Sequence, residues 1–258
     1  MRVRKKKNLD ARMERCSSVH IPNPEDWKGK WKELFGNDNP IHIEIGCGKG
    51  SFITGMAKKY PKINFIAIEK VEDVIVMAME KAVDAELKNV FFMDMDAEKI
   101  EDIFEKGEIE RIYLNFSDPW KKKKQAKRRL THKRFLDRYK NVLNEGDYIY
   151  FKTDNRALFE FSLNSFVQEN YKLENISFDL HNSDYKDNVM TEYEKRFSEA
   201  GMPIYRVEAV YIGWKDERKK PTLPEVVQDM VQETAAKIPE LIDKIKKQPD
   251  DEKSNKQE

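Results

Sequence analysis

Residues 41–50 read Ile-His-Ile-Glu-Ile-Gly-Cys-Gly-Lys-Gly, and a helical pattern follows over Ser51–Tyr60. An apolar run, three glycines and then helical spacing make a strand–loop–helix unit. Gly46, Gly48 and Gly50 are spaced G-x-G-x-G, not the G-x-G-x-x-G of the dinucleotide fingerprint. Glycines here allow positive φ and let a ligand come close to the backbone. Working outward, further apolar runs fall at Asn64–Glu69, Val90–Met93, Arg111–Phe116, Tyr148–Thr153, Leu173–Leu180 and Ile204–Gly213. The first five runs of the chain, Ile41–Ile45 included, are mostly apolar on both alternating faces, which suggests strands buried between two helix layers. Helical patterns over Val71–Leu87, Ala97–Lys106, Thr131–Leu143 and Asn155–Asn170 separate them. This alternation predicts an α/β fold, a mainly parallel sheet with helices on both faces.

Two acids sharpen the reading of the glycine loop. Glu44 lies on the strand leading into it, and Glu69 ends the next strand, where an acid accepts hydrogen bonds from ribose hydroxyls. A carboxylate as near as Glu44 repels a pyrophosphate and attracts a sulfonium, which favours S-adenosylmethionine over NAD. Asp94 and Asp96 follow the third strand, placed to accept from an adenine amino group.

Composition narrows the class. The 258 residues carry 48 Lys+Arg against 47 Asp+Glu, a formal net charge of +1, with 37% charged and 39% apolar residues. No apolar run approaches the roughly 18 residues of a membrane span. No apolar stretch follows MRVRKKK, so it does not read as a signal peptide. Cys16 and Cys47 are too few for a disulfide framework or a four-ligand zinc site, and the four histidines lack metal-ligand spacing, so no metal is expected. A cytoplasmic protein is expected. The charges are not mixed evenly: Lys121–Arg129 reads KKKKQAKRR, and Arg2–Lys7 with Arg12 and Arg15 forms a second basic segment. Local fields of this kind steer a polyanion.

The fourth strand ends in Asn-Phe-Ser-Asp-Pro-Trp (115–120), and the basic run follows at once. Ligands of open α/β sheets sit beyond the carboxyl ends of the strands, so Asp118 is expected to face the crevice of Gly46–Gly50. The segment N-F-S-D-P-W, then K-R-R-L-T, F-K-T-D-N and N-V-M-T-E-Y-E-K-R-F, closely resembles the bacterial tRNA (guanine-N7)-methyltransferases of the TrmB type, from about Asn8 to Gly213. The resemblance implies a Rossmann-like class I methyltransferase fold with a seven-stranded sheet. It also implies methyl transfer from S-adenosylmethionine to N7 of the guanosine at position 46 in the tRNA variable loop.

Carried over residue by residue, the resemblance makes Glu44, Glu69, Asp96 and Asp118 cofactor-contacting acids, beside Gly46, Gly48 and Gly50, and Asp118 also the catalytic residue. It makes Lys122, Asp154, Thr191, Glu192, Tyr193 and Glu194 substrate-contacting. Lys124, Gln125, Ala126, Lys127, Arg128 and Arg129 match its RNA-interacting stretch. The chain departs from the family at Lys121, where proline is usual, and at Gln125, where histidine is usual.

Guanine N7 holds an unprotonated lone pair, so its methylation needs no general base. The product purine is cationic, and a carboxylate such as Asp118 beside it stabilises the developing charge or fixes the guanine edge. Glu194 or Asp154 could accept from the guanine N1–H and amino group, while Thr191 equally suits a helix cap. Cys47 reads as a small loop residue, not a nucleophile. Two other readings use the same residues: a methyltransferase for a small molecule or protein, and a non-catalytic RNA-binding protein that keeps the cofactor pocket. The basic run at the cleft mouth opposes the first, and the complete set of acids and glycines opposes the second. Residues 1–40 read as a basic arm and lead-in, 41–213 as the methyltransferase domain, and 214–258 as an extension of amphipathic helices and a disordered tail. Monomer and homodimer are equally compatible with the sequence.

Overall fold

The computed structural model describes residues 8–213. The expected basic arm at Arg2–Lys7 and the helices and tail after Gly213 lie outside the described residues. The strands are β1 (Ile41–Ile45), β2 (Asn64–Glu69), β3 (Val90–Asp94), β4 (Ile109–Asn115), β5 (Leu143–Thr153), β6 (Tyr171–Ser177) and β7 (Tyr205–Tyr211). The helices are α1 (Leu9–Arg15), α2 (Trp31–Phe35), α3 (Ser51–Lys59), α4 (Glu72–Asp84), α5 (Ile100–Ile103), α6 (Lys133–Val142), α7 (Arg156–Gln168) and α8 (Glu192–Glu199).

One seven-stranded sheet runs β3-β2-β1-β4-β5-β7-β6, parallel except for β7, which pairs antiparallel with both neighbours. Every residue of β1 is buried, the polar His42 and Glu44 included, and so are the first five of β2, as in strands covered by helices on both faces. Two apolar layers flank the sheet. One joins Ile43, Ile66, Ile112 and Phe151 to α6 and α7, and the other joins Phe65, Ala67, Phe92 and Tyr113 to α3 and α4.

The chain before β1 belongs to the same body. Trp31 is fully buried against Phe104, its indole N–H donating to the Ile103 carbonyl at 2.8 Å. Arg12 and Arg15, expected to be part of a basic segment, pair instead with Glu80 and Asp84 on α4. His42 is a core residue, 2% exposed, and its burial lowers its pKa to about 3. The helix expected over Ala97–Lys106 is a single 3-10 turn, Ala97–Lys99, followed by the short α5.

The order of the strands reverses between β1 and β4, which makes the crevice beyond their carboxyl ends the switch point of the sheet. The glycine loop leaves β1 there, and Phe116–Trp120 leaves β4 beside it.

Candidate active site

Gly46, Gly48 and Gly50 all have positive φ, as the turn from β1 into α3 requires. At Gly50 a side chain is also excluded by packing, because a Cβ would collide with Ala78 of α4. The loop is tied down by an acid. The Gly48 N–H donates to Glu69 Oε2 at 3.1 Å, while Glu69 Oε1 accepts from the Lys70 and Val71 amides. Glu69 therefore shapes the loop, and it keeps one lone-pair direction of about four for a ligand hydroxyl.

Across the loop, Glu44 is 1% exposed. Its Oε1 accepts from Asn115 Nδ2 at 2.8 Å, and its buried Oε2 has no hydrogen-bond partner among the described residues. Burial pushes the Glu44 carboxyl up to about 8, outweighing the pull of Asn115, Lys152 and the Ile53 amide. Burial likewise pushes the Cys47 thiol well above its ordinary value, so it carries little thiolate, as an inert loop residue does.

Two cavities open at this crevice, with Gly46 and Phe116 in both walls. The larger, about 720 Å³, brings Glu69, Asp96 and Asp118 together with Trp120 and Arg128. Asp96 caps the 3-10 turn after β3 and pairs with Lys70 at 2.6 Å. Burial works against its charge, but the Lys70 ammonium and the Glu98 N–H hold its carboxyl below the usual range. Asp94 is engaged elsewhere, by His20 at 2.7 Å. Asp118 is exposed and, among the described residues, has no side-chain partner. Phe116 and Trp120 adopt left-handed φ of 52° and 41°, uncommon for bulky side chains and a mark of functional segments.

The second cavity, about 490 Å³, joins Glu44 and the glycine loop to Thr191, Glu192, Tyr193 and Arg196. Thr191 is a helix cap, its hydroxyl accepting from the Glu194 N–H at 2.8 Å. Glu192 accepts from Ser51 at 2.9 Å and pairs with Lys81 and Lys49, and the bonds from Lys81 and Ser51 hold its carboxyl below its ordinary value. Tyr193 donates to Asp154 at 3.3 Å and packs on Phe116, ring centroids 5.2 Å apart.

Glu194 does not fit the role expected of it. It is 0% exposed, with Lys152 Nζ at 2.7 Å, Asn188 Nδ2 at 2.6 Å and His181 Nε2 at 3.2 Å. With both oxygens engaged beneath α8, it cannot accept from a guanine edge; half-buried Asp154, bonded among the described residues by Tyr193, stays accessible. Within the basic run, Lys122 and Lys124 are exposed, as is Lys127, while Gln125 and Ala126 are half-buried in the 3-10 turn Lys123–Arg128. Arg129 is used internally. Its guanidinium donates to the Pro119 and Trp120 carbonyls at 3.0 and 3.2 Å and lies over the Phe161 ring. Arg128 covers Trp120 at 4.9 Å.

Sequence reasoning gave no site role to Asn115, Phe116, Ser51 or Arg196, although Asn115 and Phe116 open the motif N-F-S-D-P-W and Arg196 lies in N-V-M-T-E-Y-E-K-R-F. The polar Asn115 ending an otherwise apolar strand was a usable signal; nothing local marks Ser51. Among the described residues no group of His, Cys, Asp and Glu could hold a metal ion, and no helix is long and apolar enough to cross a membrane.

Known proteins resemble this chain at both levels. A family described as "Putative methyltransferase" matches residues 38–207. A tRNA (guanine-N(7)-)-methyltransferase of Listeria monocytogenes is 55% identical over 211 residues, 82% of this chain and 99% of that protein. One from Bacillus subtilis is 53% identical over 208 residues, 81% of this chain and 98% of that protein. Among solved structures, an antibiotic-related methyltransferase superposes with a TM-score of 0.53 at 18% identity, covering 70% of this chain and 92% of that one. A 16S rRNA methyltransferase gives 0.53 at 10% identity, covering 72% and 94%. These two share the fold.

Proposed function

This chain belongs to the tRNA (guanine-N7)-methyltransferases, and from that premise we propose that it methylates N7 of the guanosine at position 46 in the variable loop of tRNA. A tRNA substrate makes the cytoplasm its place of work. When bound, S-adenosylmethionine supplies an electrophilic methyl group on a sulfonium. The crevice residues suit such a donor. Glu44 Oε2 and Ser117 Oγ are buried polar atoms without a hydrogen-bond partner among the described residues, and Glu44 is a desolvated carboxyl that a neighbouring cation would ionise.

The division of labour we propose follows the two cavities. Glu69 and Asp96 take the nucleoside side of the donor, and Glu44 with Gly46, Gly48 and Gly50 takes its charged end. Asp118 faces the acceptor guanine. The N7 lone pair would be the nucleophile toward that methyl group. N7 has no proton to lose, so the chain supplies no general base. Positive charge arrives on the purine, and the Asp118 carboxylate stabilises it there. Asp154 accepts from the guanine N1–H and amino edge, which adenine lacks, and Tyr193 holds it in place. Outside the crevice, Lys122, Lys124 and Lys127 neutralise phosphates.

The observation that carries this reading is the convergence of Glu69, Asp96 and Asp118 on one cavity at the sheet's switch point, beside the glycine loop. The test is methyl transfer from labelled S-adenosylmethionine to an unmodified tRNA transcript, with nucleoside analysis of the product. We expect 7-methylguanosine, absent when the variable-loop guanosine is replaced by adenosine. Product that persists in that control would reject the assigned position.

A further inference from the structure

We infer that Arg196 is the phosphate anchor of the acceptor nucleotide and that the Tyr193 ring is the platform beside which its base settles. The inference rests on the proposed function and adds to it a residue that no family motif invoked above assigns to substrate.

α8 is fixed from three directions. Thr191 caps it, Glu192 ties it to Ser51 at the start of α3, to Lys49 of the glycine loop and to Lys81 of α4, and buried Glu194 ties it to Lys152 on β5. With those residues spent on anchoring, Tyr193 and Arg196, three apart on one helix face, line the wall of the second cavity. Tyr193 is 44% exposed, stacked on Phe197 with ring centroids 4.2 Å apart and backed by Phe116.

Arg196 is exposed and, among the described residues, makes no ion pair, whereas Arg12, Arg15, Arg134, Arg138, Arg156 and Arg206 each hold a carboxylate. A guanidinium without its own acid, on a rigid helix, presents a fork that matches phosphate oxygens. An aromatic ring one turn away suits an unstacked base, and the pair together suit one flipped nucleotide. The cavity mouth favours this over the carboxylate of the methyl donor, because Arg196 lies with exposed Tyr193 while Glu44 lies in the buried wall.

The test compares wild type with Arg196→Gln and Arg196→Lys. It measures KM for an unmodified tRNA transcript, the salt dependence of tRNA binding, and S-adenosylmethionine affinity without RNA. For Arg196→Gln we expect KM to rise about 10-fold and the slope of log K against log salt to fall by about one. Affinity for the methyl donor should stay within about twofold. Arg196→Lys should restore the slope but only part of the KM, since a point charge replaces a fork. Circular dichroism and Tm matching wild type show that the variants are folded. An unchanged slope and KM in folded Arg196→Gln would overturn the inference, as would an equal loss of donor affinity without RNA, which would assign Arg196 to the donor carboxylate. A wild-type enzyme that makes no 7-methylguanosine rejects the proposed function instead, so the two failures are distinct.

Discussion

Lys152 and Glu194 meet 2.7 Å apart beneath α8, one on the central strand β5 and the other on a helix whose neighbouring residues line the crevice. The Lys152 ammonium also donates to Asn188 and to the Val189 carbonyl at 3.0 and 3.1 Å, so all three of its protons are used. Burial pushes this lysine below its ordinary value, against the pull of Glu194. Removing one member strands a buried charge, which costs about 3–5 kcal/mol. Glu194→Ala and Lys152→Ala should each lower Tm markedly, and the double variant should lose less than the sum of the two. Additive losses in a double-mutant cycle would show that the pair is not coupled.

Glu44 makes donor binding sensitive to pH. In the free protein its carboxyl is neutral below about 8, and a bound cation favours the ionised form. Donor binding should therefore release up to one proton near pH 7, and affinity should rise as pH climbs toward 8. Calorimetry in buffers of different ionisation enthalpy reads the proton directly. The same shift bears on stability with the opposite sign from an ion-paired acid. An ordinary glutamate ionises near 4.5, so the unfolded chain gains from ionisation between 4.5 and 8, and folding weakens as pH rises through that window. Glu44→Gln should raise the stability of the free protein at pH 8 by on the order of 3 kcal/mol while abolishing donor binding. A destabilised Glu44→Gln would contradict the neutral, strained carboxyl described above.

Asp118 supports nothing structural, since it is exposed and unpartnered among the described residues. Asp118→Asn should leave Tm unchanged within about 0.5 kcal/mol equivalents, as surface substitutions do. Turnover should fall by about 10²-fold or more, the scale seen when electrostatic stabilisation of a transition state is removed. Single-turnover methyl transfer separates this from slower product release, and a rate within threefold of wild type would remove Asp118 from the chemistry.

The basic run divides into two kinds of residue. Replacing exposed Lys122, Lys124 and Lys127 together by glutamine should reduce the salt slope of tRNA binding by about 2–3 and leave Tm and donor affinity alone. Arg129→Gln should do the reverse in part. It frees the Pro119 and Trp120 carbonyls, loosens the turn that carries Asp118, and lowers kcat with a smaller change in salt slope. Equal salt slopes for wild type and the triple variant would show that phosphates are met elsewhere.

The central strands were legible in the sequence as short, mostly apolar runs bounded by turn and charge signals, even where buried His42 and Glu44 interrupt β1. Ile41–Ile45 and Asn64–Glu69 coincide with β1 and β2 residue for residue. The glycine loop was legible for a local reason, since turn chemistry is written in adjacent residues. α8 was not, beyond the capping option at Thr191. Its sequence, Glu-Tyr-Glu-Lys-Arg-Phe-Ser-Glu, looks like a solvated face, and its anchors are ion pairs to Lys81 and Lys152, far away in the chain. The same blindness to distant partners made Arg12 and Arg15 read as free cations and Glu194 as an available acceptor. Charge identity is visible in a sequence, whereas the partner that neutralises it is set only by the fold.

The segment before α8 runs along α3 and is fastened to both its ends. Glu192 bonds Ser51 at the start, Asp187 grips Lys59 and Tyr60 at the finish, and Val189 crosses closely over Gly55 between them. The glycine loop leaves the ribosome early, but the residues that hold its helix emerge well over a hundred positions later. Strand β7, later still, must slot between β5 and β6 to close the sheet. Synthesis from the N-terminus thus delivers the donor loop first and its clamp only after β5 and α7 have emerged. A nascent chain stopped before Asp187 carries every glycine and acid of the loop but neither the clamp nor β7, and should be unable to hold the donor.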